Sequence, residues 1–358
     1  MKKISFRSIK DTGPSASALR LVLSGSASAV LVVLAALLLS KQAGTAMKAF
    51  FITPFASAPA FLSMLELAAP LALCALGVVI SFRAGHFSLG GEGQAYAGSF
   101  TAALFALFMP GVSGFFAVVM AFALGAMAGA LVAAIPAAGS RFAETEVLLS
   151  SLLVSQGFIY LIDWAISGPL RDSSRNLIAM PPVPDAMLLP RLAPPSTLSP
   201  APFLALAMCF LASFYFERTR TGSAHDLYGR NSRFAKLQGY NTRLFSWLPI
   251  VASGAFHGLA GAVMVLGLRG SAIRGMSGGI GWSAIGVSLI ASSKPSALFA
   301  AAFLFAWLDA GARQASILAE LPADSGMAIK AMVILVIGIR PSIAKLKSFQ
   351  AKLKSFQA

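Results

Sequence analysis

Charged side chains are scarce in this chain of 358 residues, and so are the side chains that build catalytic and metal sites. Asp, Glu, Lys and Arg together make up 11% of the residues, whereas soluble globular domains carry about 25%. The three histidines are too scattered for an HExxH zinc site, and both cysteines lie in apolar runs that favour a packing role. No Gly-Lys pair occurs, which excludes a phosphate-binding loop and an ATPase activity of the chain's own. We therefore expect no cofactor, no metal ion and no covalent catalysis.

Apolar residues dominate instead, at 57% of the chain with a mean hydropathy of +0.78. Runs of roughly 20 apolar residues are long enough to cross a bilayer as helices. The first run exceeds the core of about 7–15 residues in a signal peptide, so we interpret it as a retained helix. Residues 46–61 add either a half-span or an interfacial helix. The sequence thus predicts an all-α polytopic membrane protein with about ten transmembrane helices, at residues 21–40, 62–82, 87–109, 112–138, 145–167, 201–217, 244–268, 282–294, 296–316 and 326–340.

The placement of Lys and Arg predicts the orientation. The net charge of +15 does not indicate a nucleic-acid partner, because in so apolar a chain excess Lys and Arg mark cytoplasmic loops. With ten crossings and the N-terminus inside, most basic residues fall on the inner side, so both termini are predicted to be cytoplasmic. Residues 1–20 are then a basic cytoplasmic N-terminus and residues 21–340 a transmembrane domain. Residues 341–358 form a basic tail that repeats Ala-Lys-Leu-Lys-Ser-Phe-Gln, either as an amphipathic helix on the inner leaflet or as a neutral duplication.

Two long loops stand out between the predicted spans. Residues 168–200 are rich in proline, which is typical of an extended and rigid surface loop, and they are predicted to lie outside. Residues 218–243 are basic and are predicted to lie inside. Their six cationic residues are Arg218, Arg220, Arg230, Arg233, Lys236 and Arg243.

A glycine-broken stretch at residues 81–98 interrupts the apolar pattern. Within it, Gly90-Gly91-Glu92-Gly93 is followed by Gly98, and Gly278-Gly279-Ile280-Gly281 is followed by Gly286 at the same spacing. Interrupted hydrophobic segments in corresponding halves of a chain point to the transport pathway of repeat-built transporters. The predicted topology runs the two following spans in opposite directions. The sequence therefore predicts broken helices within a pseudo-symmetric, inverted internal repeat.

The candidates for the translocation pathway, or for substrate contact, come from these two motifs. They are Arg83, Phe87, Glu92, Gln94, Gly279 and Gly281. For Glu92 three roles stay open: contact with substrate, capping of its own helix, or a bond to Arg83 that fixes the preceding loop. Phe87 and Tyr96 are candidates for stacking on a flat ring, with packing as the alternative.

Ionisable residues in other spans are interpreted more simply. Glu66, Asp163 and Lys330 lie near predicted span ends, where snorkelling to the interface accounts for them. Asp309 lies deeper, as a helix–helix hydrogen-bonding group or as part of a lined cavity. Gly254, Gly258 and Gly261 form a small-residue face suited to close helix packing.

A family resemblance now becomes visible in these motifs. Phe82-Arg-Ala-Gly85 followed by Gly90-x-Glu92-Gly-Gln94 resembles the signature of permease subunits in bacterial ABC importers of the branched-chain amino acid/ribose type, and most of all its nucleoside-type branch. The resemblance extends from about residue 62 to residue 340. The chain departs from the family pattern at several positions, including Ser88 and the triplet 226–228, and these departures leave the substrate open.

The resemblance implies a function, partners and a second site. Gly229, Arg230, Asn231, Ala235 and Gly239 match the cytoplasmic segment that docks on the ATPase. A short helix around residues 230–238 would enter a groove on that separate subunit. Further implied partners are a second permease chain, identical or homologous, an external substrate-binding lipoprotein and the lipid bilayer, with no nucleic acid. The implied location is the bacterial cytoplasmic membrane.

The predicted function is therefore that of a transport subunit without enzymatic activity of its own. Nucleosides are the leading substrate class, with riboflavin or a ribose-like sugar as other possibilities. The competing hypothesis is a self-sufficient secondary transporter with inverted repeats. Such a carrier needs an ion-coupling site, for which only Asp309 and Glu92 are plausible. An intramembrane enzyme is a distant third, since no catalytic set of residues is present.

Overall fold

The computed structural model describes residues 42–112 and 114–320, together with residues 328 and 331. Residues Lys48–Gln314 form one compact unit, and the two ends of the chain belong to a second. The predicted spans 21–40 and 326–340, the basic N-terminus and the repeated tail lie outside the described residues, apart from the two isolated positions. The description below concerns the compact unit.

The described part of the chain is helical and contains no β-strand. One isolated antiparallel bridge joins Ala179 to Ile273. Single turns of 3₁₀ helix cover Thr53–Phe55 and Asp185–Met187. The α-helices are α1 (Ala43–Phe51), α2 (Ala58–Arg83), α3 (Gly91–Phe108), α4 (Gly114–Phe142), α5 (Val147–Ser167), α6 (Ala201–Arg218), α7 (Arg220–Arg230), α8 (Ser232–Leu237), α9 (Thr242–Phe245), α10 (Leu248–Val263), α11 (Ile280–Ile290) and α12 (Pro295–Ala319).

Six of these helices are long and apolar enough to cross a membrane: α2, α4, α5, α6, α12, and α10 with its π-helical continuation Met264–Arg269. At 1.5 Å per residue, about 20 residues cover the hydrocarbon core. The shorter helices α3 and α11 follow the two glycine motifs. Each of the eight predicted spans within the described residues coincides with a helix to within several residues, so the all-helical fold class is confirmed. The total of about ten spans and the inverted repeat stay predictions.

Helix α10 is the centre of the packing, against α2, α3 and α4. The predicted small-residue face is confirmed. A side-chain carbon at Gly258 would collide with the carbonyl oxygen of Gly125, and one at Gly261 with that of Ala95. The hydroxyl of Ser99 donates a 3.0 Å hydrogen bond across this interface to the Gly261 carbonyl. Small residues allow such close approach, which matters because apolar helices gain little from mutual burial in lipid.

The contacts of the loops show which ends of the long helices lie on the same side of the compact unit. At one end, the Glu66 carboxylate accepts bonds from the amide of Ser199 (2.8 Å) and its hydroxyl (2.7 Å), just before α6 begins. At the other end, the Ile80 carbonyl of α2 contacts His225 on α7, which follows α6. Helices α2 and α6 therefore run parallel. Glu66 is fully buried, so the prediction that it snorkels is wrong: the proline-rich loop folds back over it.

Helices α3 and α5 also run parallel. Two serines one turn apart on α5 bond to the start of α3 and to the loop before it: Ser155 Oγ accepts from the Gly93 amide (2.8 Å) and Ser151 Oγ from the Leu89 amide (3.0 Å). Both parallel pairs agree with the alternating directions that the predicted topology requires. The proline-rich loop meets residues 270–276 at the end that holds Glu66, and the basic segment 218–243 lies at the opposite end.

Candidate functional site

The two glycine motifs, 188 residues apart, meet at Glu92. One oxygen of its carboxylate accepts a 2.8 Å bond from the Gly279 amide, and the other accepts a 2.7 Å bond from the Gly281 amide. These amides belong to the N-terminus of α11, where backbone N–H groups lack helical partners and favour a negative charge. Gly279 has φ +78°, and a side chain on Gly281 would collide with the Glu92 backbone. Glu92 therefore neither caps its own helix nor pairs with Arg83; it caps the helix of the second motif.

Tyr96 strengthens the same junction one helical turn later. Its hydroxyl donates to Asp163 of α5 (2.6 Å) and accepts a 3.0 Å bond from the Gly275 amide. Helix α3 thus holds the N-terminus of α11 and the segment before it through three backbone amides. Tyr96 is fully buried, so the interpretation of its ring as a stacking surface for substrate is wrong. Asp163 also lies 3.8 Å from the Arg274 guanidinium, so its carboxylate forms both a hydrogen bond and an ion pair within the chain.

Two buried polar atoms beside the first motif have no hydrogen-bond partner among the described residues. They are the amide oxygen of Gln94 and Nε2 of His257. The Gln94 side chain lies against Gly90, and the His257 ring lies against Gly91. The other ring nitrogen of His257 is 2.7 Å from the Ser253 carbonyl. Gln94 is therefore placed at the junction, in its interior rather than on an open surface.

Exposed aromatic rings flank the junction at both motifs. Phe87, on the loop between α2 and α3, is 56% exposed and packs against Phe82 with 4.7 Å between ring centroids. Trp282 directly follows Gly281 and is 45% exposed, although most of α11 around it is buried. Sequence reasoning missed Trp282. Its position next to the second glycine motif was the available signal.

Arg83 is directed away from Glu92, toward the basic segment. Its Nε donates a 2.7 Å bond to Asp226 of α7, and its terminal nitrogen forms a second bond to the other carboxylate oxygen. The guanidinium also lies 3.9 Å from the centre of the Phe216 ring. In the sequence, Asp226 stands out only as a departure from the family pattern. No spacing rule connects residues 143 positions apart, so the sequence offered no signal for this pair.

The predicted short helix around residues 230–238 is present as α8. Asn231 caps its N-terminus by accepting a 3.0 Å bond from the Phe234 amide, and Gly239, with φ +80°, follows its end. Ala235 is its buried residue. Gly229 lies against the backbone of Arg83, where no side chain would fit. The remaining face is open to solvent, with exposed residues Arg230, Arg233, Phe234, Lys236 and Leu237.

Two histidines join this segment to the rest of the chain. His86 Nε2 lies 3.0 Å from the Phe245 carbonyl, and His225 Nε2 lies 2.9 Å from the Ile80 carbonyl. Burial lowers the pKa of both rings, and the bonds to the carbonyls oppose that effect only in part. Both rings are therefore neutral donors near pH 7. The described residues contain no group of three or more His, Cys, Asp or Glu side chains placed to hold a metal ion.

Comparison with known proteins identifies relatives over most of the chain. A family model described as "Branched-chain amino acid transport system / permease component" matches residues 60–338. A probable riboflavin import permease protein of Treponema pallidum is 29% identical over 305 residues, covering 84% of this chain and 80% of the relative. A nucleoside ABC transporter permease protein of Lactococcus lactis is 24% identical (73% and 74% covered), and a glucose ABC transporter permease protein of Haloferax volcanii is 27% identical (75% and 73%). No solved structure matches the chain.

Proposed function

Because the chain belongs to the branched-chain amino acid transport system permease family, we propose that it forms the translocation pathway of an ABC importer. It is a multi-pass membrane protein and a transport subunit, not an enzyme. At the level of the family, such permeases work with an ATPase and a substrate-binding protein. We propose the bacterial cytoplasmic membrane as its location, with both termini in the cytoplasm, and a second permease chain, identical or homologous, as its partner in the membrane.

The observation that carries this proposal is the form of α8. A six-residue helix with a capped start and a left-handed glycine after its end presents an apolar and basic surface to solvent. Phe234 is 45% exposed and Leu237 is 84% exposed. These apolar side chains stay exposed among the described residues, and they suit insertion into a groove of another protein. We assign that groove to the ATPase, with Gly229, Arg230, Asn231, Ala235 and Gly239 as the segment that shapes and presents the helix.

We propose a nucleoside as the substrate, with riboflavin and a sugar as the alternatives that the relatives' names support. Phe87 and Trp282 are exposed rings next to the glycine junction and are suited to stacking on a nucleobase. The other pathway candidates have polar groups that are buried or hydrogen-bonded within the chain, so we propose that they shape the pathway without contacting the substrate. These candidates are Arg83, Glu92, Gln94, Gly279 and Gly281. Uptake of labelled guanosine by proteoliposomes that contain the chain together with its ATPase and binding protein, with unlabelled riboflavin and glucose as competitors, separates the three classes.

Affinity purification from detergent-solubilised membranes tests the importer proposal. We expect an ATPase to co-purify with the wild-type chain and to be lost from the paired variant Arg230→Glu with Gly239→Trp. Arg191→Glu, an exposed charge reversal on the proline-rich loop at the opposite end, is the matched control and should retain the ATPase. If no ATPase co-purifies while the chain alone moves solute into liposomes, the competing secondary transporter is correct.

A further inference from the structure

The segment that presents α8 contacts Arg83 and Gly85, where the loop that leads to the first glycine motif begins. We propose that the Arg83–Asp226 ion pair is a positioning link that carries the motion of α7 and α8 to the loop at residues 84–90, and from there to the junction at Glu92. This inference rests on the proposed function, because it assumes that an ATPase moves α8. It assigns to Asp226 a role in transmission that neither the motif nor the relatives indicate.

The geometry of the pair makes it suitable for transmitting force. The guanidinium of Arg83 engages both carboxylate oxygens of Asp226 and packs on the face of Phe216. The two side chains are only 22% and 21% exposed. Two-point bonds between charged groups are stronger and more directional than single ones, and partial burial protects them from screening. Exposed surface pairs are weak and screened by comparison.

Beside the ion pair, the backbone at Gly229 contacts the backbone at residues 83–85. Gly229 and Gly85 have no side chains that would keep the two segments apart. A Cβ on Gly229 would overlap the carbonyl of Arg83, and one on Gly85 would lie 3.2 Å from the Gly229 carbonyl. Gly85 has φ +78°, which favours glycine. Close-packed groups without intervening voids transmit displacement. When α7 moves, the loop at residues 84–90 is therefore pushed or pulled with it.

The loop is connected to the second motif through a single helical turn. It leads directly into α3, whose Glu92 holds the amides of Gly279 and Gly281. Contacts between neighbouring groups thus run without a gap from α8 through α7, the pair and the loop to α11. Contiguity alone is not evidence of energetic coupling, so the link needs a perturbation that breaks it and another that restores it.

The competing route runs through the covalent connection of α7 to α6. Thr219 joins these helices and caps α7 by accepting a 3.0 Å bond from the Gly222 amide. If motion travels along α6, the ion pair merely holds α7 in place. The two routes differ in one respect: only the proposed link makes the movement of the loop at residues 84–90 depend on the charges at positions 83 and 226.

The experiment uses Phe87→Cys as a reporter on that loop, in the importer purified with its ATPase. Phe87 is exposed, whereas Cys74 and Cys209 are buried and contribute little background. The rate of labelling by a maleimide is compared without nucleotide and with ATP plus vanadate. We expect ATP to change the rate, Asp226→Asn to lose most of this change, and the exchange of Arg83→Asp with Asp226→Arg to restore it. Asp172→Asn, which breaks the exposed pair with Arg175 in the proline-rich loop, should leave the change intact.

Co-purification of the ATPase, measured for every variant, separates the possible failures. If the ATPase is retained and Asp226→Asn keeps the full ATP-dependent change, the pair is not a link and the inference is wrong. The same holds if labelling of the reporter does not respond to ATP, or if the charge exchange fails to restore the response. If no ATPase accompanies the wild-type chain, the proposed function itself fails and the inference fails with it.

Discussion

At the scale of single residues, Glu92 joins the two glycine motifs. Its two oxygens accept two backbone bonds at the start of α11, and it is 8% exposed. Its negative charge therefore stabilises the N-terminus of α11, where the second glycine motif lies.

We expect replacement of the Glu92 carboxylate to lower the thermal stability of the protein. In Glu92→Gln, the amide group would face a backbone N–H donor with its own NH₂, so one bond is lost and a donor is left unsatisfied. Bonds to charged groups contribute about 1.5–3 kcal/mol, and we expect destabilisation of that order. Thermal unfolding of the purified protein in detergent measures it. Glu146→Gln is the control, because that exposed residue precedes α5 without a side-chain cap; equal losses for both variants would contradict the assignment.

His86 and His225, which join residues 220–245 to the rest of the chain, predict that the stability of this segment depends on pH. Burial lowers the pKa of His86 and His225 below the ordinary value of 6.5. As the pH falls through that value, the unfolded state binds protons before the folded state does, so stability is present above pH 6.5 and declines below it. At His225, the nearby Arg83 guanidinium opposes protonation, while Asp226 favours it.

We therefore expect the segment at residues 220–245 to loosen as the pH falls below about 6.5. Hydrogen-exchange protection of residues 220–245, after correction for the intrinsic exchange rate at each pH, should fall more than protection in α4 does. In the variant His86→Gln with His225→Gln, each amide can still donate to its carbonyl but cannot titrate. If protection in this variant falls with pH as steeply as in the wild type, groups other than these two histidines cause the pH dependence.

At the scale of helices, the glycine face of α10 determines how closely the long helices pack. Gly258 lies against the backbones of Gly125 and Gly129, so a methyl group there has no space. Overpacking of a tight core costs about 1–3 kcal/mol, and we expect Gly258→Ala to lower the thermal midpoint accordingly. Gly157→Ala is the control: it lies within α5 with no atom in reach of an added methyl group, so helix propensity favours alanine there. A neutral Gly258→Ala would show that α4 and α10 separate easily.

The elements themselves were largely predictable from the sequence. Apolar runs located the spans, because length and composition decide membrane insertion, and the asparagine and glycine that bound α8 act within a few residues of their own positions. The partners of Glu92, Arg83 and Tyr96 were not predictable, since each lies more than 60 residues away and depends on how helices pack. The burial of Glu66 was missed for the same reason: its partner Ser199 belongs to a loop that periodicity does not place.

At the scale of the whole molecule, the parallel pairs α2 with α6 and α3 with α5 lead to a prediction about topology. Arg83, Arg141 and the basic segment gather at one end, and the proline-rich loop lies at the other. An excess of Lys and Arg marks cytoplasmic loops. We expect a cysteine replacing exposed Arg233 to react with an impermeant thiol reagent only in inside-out vesicles, and one replacing exposed Arg175 only in right-side-out cells. The native cysteines are buried, so they do not obscure the result. The opposite labelling pattern would reverse the orientation and would place α8 beyond the reach of any cytoplasmic ATPase.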